Sequence, residues 1–164
     1  MLPYSQFIGS NDPYPVLEST ADRIAAIAAE LTPDQLAAAP EPGKWSIHQI
    51  LGHLTDNELM AQSRIRLMLF EDTPLLVAYD QDRWVNGWIR EQELFEETLE
   101  RFRVLRRSTL RLFRNTPEHD LRRVGTHAER GVQTPADYIV ITAGHDVNHL
   151  SQIEGIRTRF KSGL

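Results

Sequence analysis

Ala143-Gly144-His145-Asp146-Val147-Asn148-His149-Leu150 is the stretch that decides the fold. Its two histidines are four residues apart, which on a helix puts both imidazoles on one face, one turn apart. Around them Tyr138, Thr142, Ile153, Ile156 and Phe160 fall at the three- and four-residue steps of an amphipathic helix. Thr134-Pro135-Ala136-Asp137 opens that helix with an N-cap, a proline at the first helical position and an acid in the first turn. The histidines therefore sit at core-facing positions that a simple stripe gives to leucine. A ring nitrogen there needs a partner. Two readings follow: hydrogen-bonded core histidines, or neighbouring ligands of one metal ion.

Outward from this helix, residues 116–133 read as a loop that carries Pro117, His119, Gly125, His127 and Gly131. Before it a helix is expected over 87–115. Phe95, Leu99, Phe102, Leu105, Thr109 and Leu112 repeat close to a heptad there. Glutamates load its first half and arginines its second, which suits the helix macrodipole. The basic half reads as a solvated charged face, with anion or nucleic-acid binding as the alternative. Residues 71–86 read as a long irregular link, of the kind that carries a chain across a bundle. A second long helix is expected over 47–70, opened by Ser46 and Gln49 as a capping box. Its stripe is Ile47, Ile50, Leu54, Ala61, Ile65 and Met68, and His53 lies beside it. Thr32-Pro33-Asp34-Gln35 opens a short helical turn, and a first helix is expected over 16–30. Residues 1–15 read as an extended arm, lying on the surface or on a partner, ahead of one domain spanning 16–164. No strand pattern is evident, so the expected fold class is all-α, a four-helix bundle.

The bulk numbers narrow the function. A chain of 164 residues with 41% hydrophobic and 25% charged residues suits one soluble domain. A net charge of -5 argues against nucleic-acid binding by whole-surface attraction. There is no cysteine, hence no disulfide, no thiolate ligand and no cysteine nucleophile. No stretch approaches the ~18 apolar residues of a membrane span. The N-terminus has no basic region followed by an apolar run, so the expected location is cytoplasmic, away from any membrane.

A metal site needs a third ligand. His53 is the best upstream candidate, being mid-helix beside a core stripe. His48, close to the N-cap, reads as exposed, and His119 or His127 could edge a pocket. The chain has no Glu-x-x-His, which disfavours a di-iron bundle. A zinc-protease reading of HDVNH is also poor. Its aspartate is one methylene short of the glutamate general base, and no histidine follows His149.

Four segments in order carry a family resemblance. They are Lys44-Trp45-Ser46 leading into Gly52-His53-Leu54-x-Asp56; Tyr79-Asp80-Gln81-Asp82-x-Trp84; Gly125-x-His127-x-Glu129-x-Gly131; and His145-Asp146-x-x-His149-Leu150-x-Gln152-Ile153. Together they resemble the DinB-like superfamily, in its YfiT-like branch of metal-dependent hydrolases and thiol transferases. The resemblance implies an up-down-down-up four-helix bundle, often a homodimer. It also implies a divalent metal, zinc or nickel, held by His53, His145 and His149. Characterised relatives include transferases of bacillithiol or mycothiol and a mycothiol-dependent maleylpyruvate isomerase. The expected function is therefore a metal-dependent transferase with a low-molecular-weight thiol co-substrate. A metal-dependent hydrolase at the same site and a non-enzymatic, metal-stabilised binding bundle are the alternatives. Asp56, one turn after His53, would orient a ligand or a bound water, or else form a surface ion pair. Asp146 is expected in surface or interface pairing. Trp45 would plug the core where the second helix begins. Tyr79, Asp80, Asp82 and Trp84 would roof the site or pin the link.

Overall fold

The structure is a computed structural model that describes residues 1–162; the last two residues of the expected 16–164 domain lie outside them. Four long helices form it: α2 (Tyr14–Ala28), α4 (Ile47–Phe70), α6 (Phe95–Asn115) and α7 (Pro135–Ser162). Short helices fill the links: α1 (Ser5–Ile8), α3 (Pro33–Ala37) and α5 (Gln81–Val85). The caps read from sequence form. Thr32 and Ser46 each accept from the backbone N–H three residues on, with Gln35 and Gln49 closing both capping boxes. Thr134 and Asp137 make the same reciprocal pair at the start of α7.

Cross-helix side-chain pairs fix the topology. Thr20 meets Asp146 and Arg23 meets Glu154, so α2 and α7 run parallel. His48 packs on Phe95 and Glu58 binds Arg106, so α4 and α6 also run parallel. Glu18 pairs with Arg114 and Asp22 with Arg103, so α2 and α6 are antiparallel. The order is up-down-down-up, and the long link over 71–94 makes it possible. Ile24, Ile47, Ile50, Leu51, Leu54, Phe102, Leu150 and Ile153 fill one end of the core. Leu17, Ile65, Met68, Phe113 and Tyr138 fill the other.

Three expectations about the elements are corrected. The third long helix begins at Phe95, not 87, after a 3-10 turn over Arg90–Gln92. Arg90 is drawn inward to pair with Asp56 and Glu93, and extended Leu94 resets the chain before the helix. The buried stripe of α6 then runs Phe95, Leu99, Phe102, Arg106, Thr109, Phe113, through Arg106 rather than Leu105. Secondly, the links hold a small sheet. β2 (Gly125–His127) pairs antiparallel with β3 (Gly131–Gln133) and parallel with β1 (Leu75–Leu76). Strands of two or three residues are too short to show a period of two in sequence. Thirdly, the N-terminal segment is not merely extended: α1 packs on α7, and Ile8 is buried.

Asp146 is the largest departure from the sequence reading. It is fully buried, with 0% exposure, not on the surface. Its carboxylate takes Arg106 in a two-pronged pair at 2.6 and 3.1 Å and accepts from the Thr20 hydroxyl at 2.7 Å. Arg106 also donates to Glu58 at 2.8 Å and to the Leu17 carbonyl at 2.9 Å, and Thr109 donates to Glu58 at 2.5 Å. Burial opposes charge on Arg106, but the Asp146 and Glu58 carboxylates outweigh it and raise its pKa. One ionic network thus joins all four long helices, each charge being paired and hydrogen-bonded as burial requires.

Candidate metal centre

With Asp146 turned toward α2 and α6, the α7 face beside it is turned toward α4. That is where His145 and His149 point. His53 comes from α4, and all three imidazoles are buried. His53 Nε2 lies 2.9 Å from His145 Nε2, and His149 Nε2 lies 3.1 Å from it. The three ligand atoms all fall within 4.8 Å of one another.

These contacts fit a metal better than hydrogen bonds. An imidazole nitrogen either carries a proton or offers a lone pair, not both. His145 Nε2 faces two other Nε2 atoms, so the two contacts cannot both be good hydrogen bonds. Ligand nitrogens ~2.0–2.1 Å from one ion lie roughly 2.9–3.4 Å apart at ordinary coordination angles, a range that includes both contacts of His145 Nε2. Among the described residues no carboxylate joins the group.

The surroundings keep the rings neutral and aimed. Burial, then the neighbouring His149 and Arg90, push the His53 pKa down to about 3. Burial and the other two histidines hold His145 well below its usual value. Burial also lowers His149, opposed by its bond to Gln152. Neutral imidazole is the ligating form. His149 Nδ1 donates to Gln152 Oε1 at 3.2 Å, which leaves its Nε2 lone pair facing the centre. Gln152 stands in the family motif, but its sequence position alone gives it no role. Aromatic rings position the other faces. Trp45 stacks along His149 and leans on His53 at 5.0 Å, so it walls the centre as well as plugging the core. Tyr4 sets its ring edge-on to His145 at 4.9 Å.

A glycine precedes each of two of the three histidines. A Cβ at Gly144 would meet the Tyr4 carbonyl oxygen at 2.2 Å, and one at Gly52 would meet the Arg90 guanidinium at 2.2 Å. These two helical glycines let the N-terminal segment and the Arg90 turn press against the bundle beside the histidines.

Asp56 takes the ion-pair alternative, bonding Arg90 at 2.5 Å in a half-buried setting. His48 is half-buried rather than exposed, and His119 is exposed. His127 is buried on β2 and lines a cavity of about 320 Å³ together with His53, His145, Arg64, Tyr79 and Arg130. The centre opens into this cavity. Tyr79 helps roof it, while Asp80 caps α5 by accepting from the Arg83 N–H. Trp84 packs on Tyr79 at 4.6 Å and stays partly exposed, and Asp82 lines a separate groove beside Trp45.

Fold and site define a class, a four-helix bundle with a three-histidine cluster set into one side. Residues 17–153 match the DinB superfamily, and the chain belongs to it. A relative from Oceanobacillus iheyensis, named a "putative metal-dependent hydrolase", is 27% identical over 79% of this chain and 75% of its own. A protein of the same description from Halalkalibacterium halodurans is 24% identical over 85% and 81%. Among solved structures, YfiT from Bacillus subtilis, described as "a probable metal-dependent hydrolase with an unusual four-helix bundle topology", superposes with a TM-score of 0.84. It is 21% identical, covering 91% of this chain and 86% of its own. TT2238, described as a four-helix bundle protein, gives a TM-score of 0.58 at 19% identity, covering 87% and 96%. The fold and family read from sequence are those found. No helix among the described residues is long and apolar enough to cross a membrane.

Proposed function

We propose that His53, His145 and His149 hold one divalent metal ion, zinc or nickel, and that the chain is a transferase joining a low-molecular-weight thiol to a small electrophile. The observation that carries this reading is that no carboxylate stands among the three histidines. Both acids nearest the ligands in sequence are occupied, Asp56 by Arg90 and Asp146 by Arg106. When bound, the metal supplies Lewis acidity that eases proton loss from a thiol or water reaching it. A thiol loses its proton near pH ~8.5, whereas bulk water has a pKa of ~15.7. A bound metal can bring water to a pKa of about 7, so either nucleophile is open to such a centre, and the thiol needs the smaller shift. The chain has no cysteine, so the thiol is a co-substrate. In the transfer its sulfur bonds to carbon, its proton passes to solvent, and the leaving group departs with the bonding pair. The cavity beside His53 and His145 gives the electrophile a place to lie.

Hydrolysis at the same centre is the second reading, supported by the description that the relatives carry. A purely structural metal would call for a closed site, and the cavity counts against it. The deciding assay offers the metal-loaded protein cysteine-type thiols with chlorodinitrobenzene or a bromobimane, alongside ester and amide substrates without thiol. Thiol-dependent turnover that a chelator abolishes supports the transferase. Hydrolysis without thiol, and no thiol transfer, replaces it with the second reading.

A further inference from the structure

Arg64 is 3% exposed, yet among the described residues it pairs with no carboxylate. A buried unpaired charge is costly and rarely kept without use. Arg64 is held in place by donating twice to the Val77 carbonyl, at 3.1 and 2.5 Å, with its guanidinium 5.8 Å over the Tyr79 ring. Burial and the nearby Arg130 charge both disfavour its own charge. Arg130 also lacks a carboxylate partner among the described residues; it donates to Gln133 and to the Tyr138 hydroxyl, each at 3.3 Å. Both arginines line the cavity that His53 and His145 open into.

A third group points the same way. His127 is 2% exposed, and its Nδ1 accepts from the Glu129 N–H at 3.1 Å. The ring proton is therefore on Nε2, a buried donor with no protein partner. Burial, then Arg130 and Arg64, push its pKa down to about 4, so it faces the cavity as a neutral N–H donor. The cavity's own acids, Asp80 and Glu129, are both exposed, and Asp80 is spent on its helix cap. Two guanidinium groups and an unpaired N–H converge on one small space, and among the described residues no carboxylate lies within ion-pair distance of either arginine.

We propose that Arg64, Arg130 and His127 form an oxyanion subsite, which anchors a carboxylate or phosphate of the substrate beside the three-histidine centre. Calling the anchored molecule a substrate rests on that centre being the reaction site; the anion binding itself does not. A cavity of about 320 Å³ is at the small end for ligand pockets and limits the guest to a compact anion.

Isothermal titration of the purified full-length protein with succinate and with inorganic phosphate, at matched ionic strength in sodium chloride, tests the subsite. One saturable site is expected. Arg130→Gln, at an exposed position that leaves the fold intact by circular dichroism, should weaken it about tenfold or more, and Arg130→Lys should weaken it less. His127→Gln should weaken it as well. Tighter succinate assigns a carboxylate and tighter phosphate a phosphate. No saturable binding of either anion, or binding unchanged in Arg130→Gln, overturns the subsite. Binding that His149→Ala abolishes and Arg130→Gln spares puts the anion on the histidine centre and also overturns it. Arg130-dependent binding in protein that retains no metal upholds the subsite while the metal reading fails.

Discussion

At the residue scale, the site rests on three neutral, buried imidazoles, and their burial makes a pH prediction. His53 titrates near 6.5 when free and at about 3 in the fold. Between those values the unfolded chain binds more protons, so lowering the pH favours unfolding. Metal-free protein should therefore lose stability as pH falls from about 6.5 toward 3, by at most ~1.4 kcal/mol per pH unit for this group. Urea midpoints across that range should fall less steeply in His53→Gln; equal slopes in the two proteins contradict the assignment. The histidines were legible in sequence because a four-residue spacing on a buried face is a pattern. Asp56 was legible only as two alternatives, since its partner Arg90 lies 34 residues away. Gln152 could not be assigned, because its role depends on a rotamer meeting His149 Nδ1.

At the element scale, α7 is placed by Asp146 and by Gly144. Asp146→Ala keeps Arg106 paired with Glu58 but removes its two-pronged bond to Asp146 and the acceptor of the Thr20 hydroxyl, and should cost about 1.5–3 kcal/mol in urea unfolding. A loss below 1 kcal/mol would show that the network does not hold the helices together. The glycines of α7 give opposite signs for one substitution. A Cβ at Gly155 meets nothing within 4 Å, so Gly155→Ala should stabilise by up to ~1 kcal/mol through helix propensity. At Gly144 a Cβ meets backbone at 2.2 Å, so Gly144→Ala should destabilise and free the Tyr4 segment, seen as faster limited proteolysis near the N-terminus. Matching signs at the two positions contradict the close packing of Tyr4. The helices and their caps could be read because each signal is local. From sequence Asp146 reads outward because it sits about 100° from His145 on the helix. That direction is also inward when helices pack on both sides, and α2 and α6 are not visible from the sequence of α7. Arg106 misled similarly: an arginine in a charged half-helix reads as solvated until its two carboxylates are in view.

At the scale of the whole molecule, the bundle and its family were legible from four motif segments in order, and the structure adds what lies between them. The sheet of β1, β2 and β3 was invisible to periodicity. It nonetheless delivers His127 to the cavity beside the centre and sets Arg130 in the turn after it. The link over 71–94, of which 71–86 is expected to be irregular and the rest helical, carries Tyr79 over the cavity and Arg90 to Gly52. The bundle supplies the three histidines and the links supply the walls. Everything proposed for function depends on the three histidines acting as one metal site. Metal analysis of the purified protein and of His149→Ala tests this most directly. The wild type should carry about one divalent ion per chain and the folded variant essentially none; the same metal content in both would contradict the three-histidine centre.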